Sequence, residues 1–474
     1  MTRAAADIGR GLAPSREARP IRAGERIHVL GAAGAGASAA VLLAHRAGAS
    51  VSGCDPGGPS PYTGALLDAG IPLTWEHSAS HVTADAAVAP ERLAVTKALT
   101  AVNPDHPELV AAREHGIPAE AWQQIVADAA ATSGQRLVAV AGTHGKSTTT
   151  GWLIDVLVRA GRDPSAFVGA LLDPVLTNGV ASTARWGSGD TFIVEADEYA
   201  GNFDPYRPDV IVLLNAEWDH PDVFADERAV LGAFEAWIRR APGATLVADT
   251  ADAGVERIVE RLGDWPGQIV AAPRDVPIDW LIGLPGPANA ANARSVIGVA
   301  RVLGVPEEPL RASLAEFKGV GRRFELKGEV GGVIVLDDYG HHPTAIARTL
   351  EAVRSRYPGR RVWAVYEPLT YHRTASMLDQ FAEVLATADE VAIADIWAGR
   401  DTDTTVTSAQ ALADAVIQRG GPSAAAPGSV EDTADYLSSR VQTGDVVLVM
   451  GGGRSYVIAD RLVELLKGRE ADAP

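Results

Sequence analysis

Short apolar runs rich in Val and Ile alternate along the chain with Gly-containing turns and with longer stretches in which Ala, Leu and Arg recur at helical spacing. Runs of the first kind read as buried strands and stretches of the second as helices that cover them, the alternation of an α/β chain with mainly parallel sheets. RIHVLGAAGAGASAAVLLAHRAGASVSGCD predicts a strand at Ile27–Leu30, a helix from about Ala35 and a second strand ending at Asp55. RLVAVAGTHGKSTTTGWLIDVLVRAG repeats the theme, and the small, polar ATSGQ, Ala131–Gln135, predicts a linker between the two halves. A third region begins near Gly321, where FKGVGRRFELKGEVGGVIVLDDYGHHP combines a Gly-rich break, a basic pair and a fresh strand. RVWAVY, EVAIAD and GDVVLVM supply its further strands. Three α/β domains are expected, over residues 24–132, 136–320 and 321–474, with Met1–Ala23 a mobile tail.

Length agrees, since 474 residues suit roughly three domains of about 150 each. The net charge of -18, from 60 acidic against 42 basic residues, and the lack of any Lys/Arg run disfavour a nucleic-acid partner. A phosphate ligand must therefore be held by local backbone and side-chain groups. The single cysteine, Cys54, excludes an internal disulfide and a Cys-rich zinc cluster, and points to a reducing compartment. Without an apolar stretch long enough for a signal peptide or a membrane span, the expected location is the cytoplasm, with no membrane insertion.

The chemistry concentrates at strand ends. In AVAGTHGKSTTT a strand runs into Gly142-Thr143-His144-Gly145-Lys146-Ser147-Thr148 and then a helix. Converging backbone N–H groups, a helix N-terminus, a lysine and a hydroxyl for Mg2+ suit nucleotide phosphates, although the usual motif has a glycine where Val140 stands. The earlier GAAGAGAS, with Gly31, Gly34, Gly36 and Ser38, also lies between a strand and a helix, and Asp55 ends the next strand. That is a weak dinucleotide fingerprint, because Ala33 occupies its second glycine position. TFIVEADEYAGNF ends in Glu195, Asp197 and Glu198, and VIVLLNAEWDH in Glu217, Asp219 and His220. Two strands delivering carboxylates and a histidine to one rim suggest two cation sites. The first and third domains are accordingly expected to be Rossmann-like and the central one a P-loop ATPase-like parallel sheet.

GTHGKSTTT, EADE, NAEWDH, RRFE and DDYGHHPT occur in the order of the Mur ligases, ATP-dependent amide-forming enzymes of peptidoglycan synthesis, which the chain resembles over nearly its whole length. IHVLGAAGAGAS, SGCD, RRFELKG and DDYGHHPT resemble most the branch that adds L-alanine to UDP-N-acetylmuramate. The resemblance implies ATP and Mg2+ as cofactors, with Lys146 and the backbone of Gly142–Thr148 on the phosphates and Ser147, Glu195 and His220 on the metal. It implies Asn289 and Asn292, one helical turn apart, at the adenine, Arg323 and Asp338 at the nucleotide, and Gly31, Gly34, Gly36, Ser38 and Asp55 at the UDP-sugar. Tyr339, His341 and Arg373 would serve L-alanine or another small amino acid. The γ-phosphate would pass to the substrate carboxylate, and the amine would attack the resulting acyl phosphate, so no protein nucleophile is needed.

The chain departs from the family in YEPLTYHRT, where Leu369 replaces a histidine and Thr370 an arginine, with His372 a candidate to compensate. Ala288, Ala345 and the basic residue in MGGGRS are further departures, and no lysine between Pro221 and Val247 offers a carbamylation site. Alternatives are a ligase that returns a whole tripeptide to UDP-N-acetylmuramate, a catalytically weak nucleotide-binding paralogue and, from the glycine-rich start alone, an NAD oxidoreductase. A monomer or a homodimer is compatible with the sequence.

Overall fold

The computed structural model describes residues 8–83, 88–177, 179–276, 280–399, 401, 403–421 and 423–471. Their strands form three sheets. The first contains β1 (Arg26–Leu30), β2 (Ser50–Cys54), β3 (Leu73–Thr74), β4 (Arg92–Val95) and β5 (Ala119–Ala121), all parallel, in the order β3-β2-β1-β4-β5. The second contains β6 (Arg136–Ala141), β7 (Ser165–Leu172), β8 (Ser182–Arg185), β9 (Thr191–Ala196), β10 (Val210–Leu213), β11 (Thr245–Ala248) and β12 (Gln268–Ala271). Its order is β12-β11-β10-β6-β9-β7-β8, with β8 alone antiparallel. The third contains β13 (Glu325–Val330), β14 (Val333–Asp338), β15 (Val362–Glu367), β16 (Glu390–Ala394), β17 (Ala424–Gly428) and β18 (Val446–Gly451). Its order is β13-β14-β18-β15-β16-β17, with β13 antiparallel at one edge.

The chain is organised as two compact units. One comprises the chain through Gly283 with Ala291–Val320 and holds the first two sheets; the other comprises Leu284–Ala290 with Gly321 onward and holds the third. The central strands are buried along their length, as in VIVL of β10 and VVLVMG of β18, because helices cover both faces of a parallel sheet. In the first unit a continuous apolar core joins the two sheets. The helix Ala35–Arg46 packs against β7 and β8, and Trp122 meets Phe167 edge to face at 5.3 Å. No helix among the described residues is long and apolar enough to cross a membrane.

Two local expectations are corrected. ATSGQ is largely helical: the helix Trp122–Ser133 runs through it, Thr132 Oγ1 donates to the Asp128 carbonyl, and Gly134 in the left-handed region ends the helix. The described part of the proposed tail is ordered; the rest, residues 1–7, lies outside the described residues. Arg16 pairs with buried Asp128 at 2.6 Å and with Glu120 at 3.1 Å, and Arg19 reaches Glu25 at 2.5 Å. These carboxylates have little access to water, so the arginines fix the segment in place.

Candidate nucleotide and cation site

The phosphate-type loop joins β6 to the helix Lys146–Arg159, where the sequence places it. The loop is pinned from β10 next door. Asn215 Oδ1 accepts from the His144 N–H at 2.8 Å, and its Nδ2 donates to the His144 carbonyl at 3.0 Å. Thr143 Oγ1 donates to the Glu217 carbonyl at 3.1 Å and accepts from the Glu217 N–H at 2.9 Å. Gly145 has φ +80, and a Cβ there would lie 2.4 Å from Asn292 Oδ1. Glycine is thus required twice over, by backbone conformation and by the close approach of Asn292.

Lys146 is mostly shielded from water and donates to the Gly142 carbonyl at 2.7 Å and to Glu198 Oε2 at 2.9 Å, with Asp197 Oδ1 at 3.8 Å. Burial alone would lower the lysine's affinity for its proton, but the facing Glu198 and Asp197 charges outweigh it and hold the ammonium protonated. Burial and the Asp197 charge push the Glu198 carboxyl up, against the pull of Lys146.

Two donor groups lie at the ends of β9 and β10. Ser147 Oγ donates to Glu195 Oε1 at 3.0 Å, and the other Glu195 oxygen accepts from the Gly169 N–H at 2.7 Å. His220, whose φ is +55, stands with Asp197 and Glu198 so that one ligand atom of each lies within 4.8 Å of the others. Its Nε2 is 3.9 Å from Glu198 Oε1, and its ring meets Tyr199 edge to face at 4.9 Å. The structure therefore pairs Ser147 with Glu195 and groups His220 with Asp197 and Glu198. The first set offers oxygen donors and the second oxygen and imidazole donors, each suited to a divalent cation that also meets phosphate.

At the first sheet, the turn after β1 has Gly31 donating its N–H to the Cys54 carbonyl at 2.8 Å. Asp55 accepts from the Ala33 N–H at 3.2 Å, and Gly34 precedes the helix. Gly36 and Ser38 are placed in packing contacts. A Cβ on Gly36 would lie 2.3 Å from the Trp122 ring, and Ser38 Oγ is 3.0 Å from Thr183 Oγ1 of β8.

In the other unit, Asp338 at the end of β14 accepts from the N–H groups of Phe324 and Gly340 at 2.9 and 2.8 Å, and burial raises its pKa. Arg323 stacks over Tyr339 at 4.9 Å. His341 Nδ1 contacts the Tyr339 carbonyl at 2.9 Å, while His342 caps the helix Pro343–Arg356, so both are turn residues. Arg373 is buried in the helix Tyr371–Ser376, and the His372 N–H donates to Asp401 at 2.8 Å. Asn289 donates to the Pro285 carbonyl at 2.8 Å and belongs to this unit, whereas Asn292 belongs to the first.

Sequence reasoning placed Glu198 among the cation-site carboxylates but not as the partner of Lys146, and gave no role to Asn215, the clamp on the loop. The signal for each was present: a second carboxylate in EADE, and an amide at the mouth of a strand neighbouring β6.

Residues 26–133 match the family model described as Mur ligase family, catalytic domain, and residues 322–453 the one described as Mur ligase, glutamate ligase domain. The UDP-N-acetylmuramate–L-alanine ligase of Kineococcus radiotolerans is 37% identical, over 94% of this chain and 97% of the relative. That of Frankia casuarinae is 34% identical, over 93% of this chain and 98% of the relative. The crystal structure of UDP-N-acetylmuramate–alanine ligase from Thermotoga maritima is similar in fold, with a TM-score of 0.76 at 24% identity, over 94% of this chain and 99% of that one. With relatives this similar along nearly their whole length and two family domains matched, the chain belongs to the Mur ligase family.

Proposed function

We propose that the protein joins the carboxylate of UDP-N-acetylmuramate to the amine of L-alanine, or another small amino acid, with ATP and Mg2+. The observation that carries this reading is the loop Gly142–Ser147 with its charged Lys146 facing two sets of cation donors. Bound ATP would supply the γ-phosphoryl group that activates the carboxylate as an acyl phosphate. Lys146 would exchange its bond to Glu198 for a phosphate oxygen. Ser147 and Glu195 would hold one cation, and His220 with Asp197 and Glu198 a second, neutralising charge where phosphoryl transfer develops it. Gly145 and Thr148 would present backbone N–H groups to phosphate, Thr143 and His144, whose own N–H groups are held by Asn215, would shape the loop, and Asn292 would face the nucleotide from beside Gly145.

For the UDP-sugar the reading retains Gly31, Gly34 and Asp55, and leaves Gly36 and Ser38 to packing. Arg323, Asp338 and Asn289 are proposed for the nucleotide, and Tyr339, His341 and Arg373 for the amino acid. A cytoplasmic monomer or homodimer accompanies it. The curated relatives favour L-alanine over a tripeptide, a weak paralogue or a nicotinamide enzyme.

The test is phosphate release from Mg-ATP and UDP-N-acetylmuramate with L-alanine, glycine, L-serine or the L-Ala-D-Glu-diamino acid tripeptide, with Lys146→Ala as blank. Release that depends on L-alanine or a small analogue is expected. Release with the tripeptide only, or none from protein that binds ATP, would refute the assignment.

A further inference from the structure

The ligase reading leaves unused a compact group of soft and borderline donors beneath the first sheet. His28 lies in β1, Cys54 ends β2, His81 lies on the short helix Ser80–Thr83 and Glu108 on the helix Pro107–Glu114. One ligand atom of each lies within 4.8 Å of the others. His28, Cys54 and Glu108 are buried, while the His81 side chain keeps 14% of its exposure, a route of entry from solvent.

The spacing is that of a coordination shell. Glu108 has one oxygen 3.2 Å from Cys54 Sγ and from His81 Nδ1, and the other 3.2 Å from His28 Nε2. His28 Nε2 is 3.3 Å from Cys54 Sγ. Ligands held at about 2.0–2.3 Å around a tetrahedral cation stand roughly 3.3–3.7 Å from one another, so small shifts of these side chains would accommodate one.

The outward nitrogens are held as ligating histidines require. His28 Nδ1 meets Ser52 Oγ at 2.8 Å, and His81 Nε2 meets Thr74 Oγ1 at 3.3 Å. A hydrogen bond from each outward N–H to its hydroxyl directs the opposite lone pair inward, the tautomer a metal selects. His77 Nδ1, 3.3 Å from Cys54 Sγ and 3.5 Å from Glu108 Oε1, is a spare donor on the solvent side.

We propose that His28, Cys54, His81 and Glu108 form a binding site for a borderline-soft divalent transition-metal ion, with Zn2+ the best match to a sulfur, nitrogen and carboxylate donor set. On binding, the Cys54 thiol loses its proton to solvent, and thiolate and carboxylate balance the two charges of the ion. The shell is then neutral, which suits its buried position. The ion would tie β1 and β2 to the two helices and act in stability instead of catalysis.

The experiment uses the full-length protein stripped with a chelator, then titrated with Zn2+ and with Co2+ as its optical substitute. The chain has one cysteine, so a thiolate-to-cobalt charge-transfer band can come only from Cys54, which separates this site from any cation at the nucleotide loop. One equivalent of Co2+ should raise that band with tetrahedral visible bands, and Zn2+ should abolish both. Cys54→Ser should lose the band, and His81→Gln, at a partly exposed side chain, should weaken binding by at least about tenfold with unchanged circular dichroism. A folded wild-type protein with no thiolate band, or a folded His81→Gln variant with unaltered Co2+ affinity, would overturn the proposal and leave a purely hydrogen-bonded network around Glu108. Should Cys54→Ser fail to fold, those two measurements decide it.

Discussion

Replacing Lys146 by methionine removes the cation from a site where Glu198 stands 2.9 Å and Asp197 3.8 Å from Nζ. At an effective dielectric constant near 20 the attractions are worth roughly 6 and 4 kcal/mol before solvation is counted. Desolvation of the buried ions offsets most of this, which is why such pairs add little net stability while the loss of one partner is costly, about 3–5 kcal/mol. Lys146→Met should therefore destabilise the first unit by that amount. Glu198→Gln, which leaves Asp197 to face the lysine, should cost less. The double variant Lys146→Met/Glu198→Gln should be more stable than Lys146→Met alone by at least about 2 kcal/mol, because the fully buried Glu198 carboxylate is no longer left without its cation and the remaining Asp197 is partly exposed to water. Urea unfolding of the four proteins measures the cycle, with phosphate release abolished in both Lys146 variants whatever their stability. Additive losses, or a Lys146→Met penalty below about 1 kcal/mol, would refute the idea that the lysine and the carboxylate hold each other in the ligand-free protein.

Gly145→Ala places a side chain at φ +80 and 2.4 Å from Asn292 Oδ1; a conformational cost of about 1–2 kcal/mol plus the collision should weaken ATP binding, measured by equilibrium binding. Asn292→Ala in the same chain should relieve the collision only. Gly36→Ala drives a methyl group into Trp122 and should lower stability by about 1–3 kcal/mol, read from thermal unfolding. For Glu25, burial opposes ionisation, but bonds from Arg19 and the Arg22 N–H, with Arg92 nearby, bring its pKa down from 4.5 to about 2. Its contribution is therefore complete above pH 4.5 and lost as pH falls toward 2, so Glu25→Gln should be the less stable protein at pH 7, with the difference closing through that window in pH-dependent melts. His372→Ala should raise the amino-acid KM if that histidine compensates for Leu369 and Thr370; an unchanged KM excludes it.

Much of the fold is legible in local pattern, because a buried parallel strand must be apolar on both faces. VAVA, VIVL and VVLVM could hardly be anything else, and the Gly-Lys-Ser turn could be placed on its strand and helix for the same reason. What escaped depends on partners far away in sequence. Arg16 and Arg19 read as a charged tail until Asp128, Glu120 and Glu25 are brought beside them. ATSGQ reads as a linker although Thr132 and Ser133 turn their hydroxyls back onto their own helix. Cys54, alone in the sequence, reads as a small apolar residue because His28, His81 and Glu108 follow no motif spacing. Glu198 and Asn215 lie inside quoted motifs, yet which carboxylate would meet Lys146 depends on how β9 ends.

The amide of Asn215 grips one residue from both sides, through the N–H and the carbonyl of His144, which belong to consecutive peptide units. Fixing the backbone of a residue costs about 1–2 kcal/mol in conformational entropy, and at this loop that loss falls on folding instead of on nucleotide capture. An incoming phosphate thus meets a receptor whose shape is already chosen, and more of its intrinsic attraction survives as affinity. Trimming Asn215 would move the entropy loss back to the binding step, so the loop could keep all its phosphate contacts and still bind more weakly.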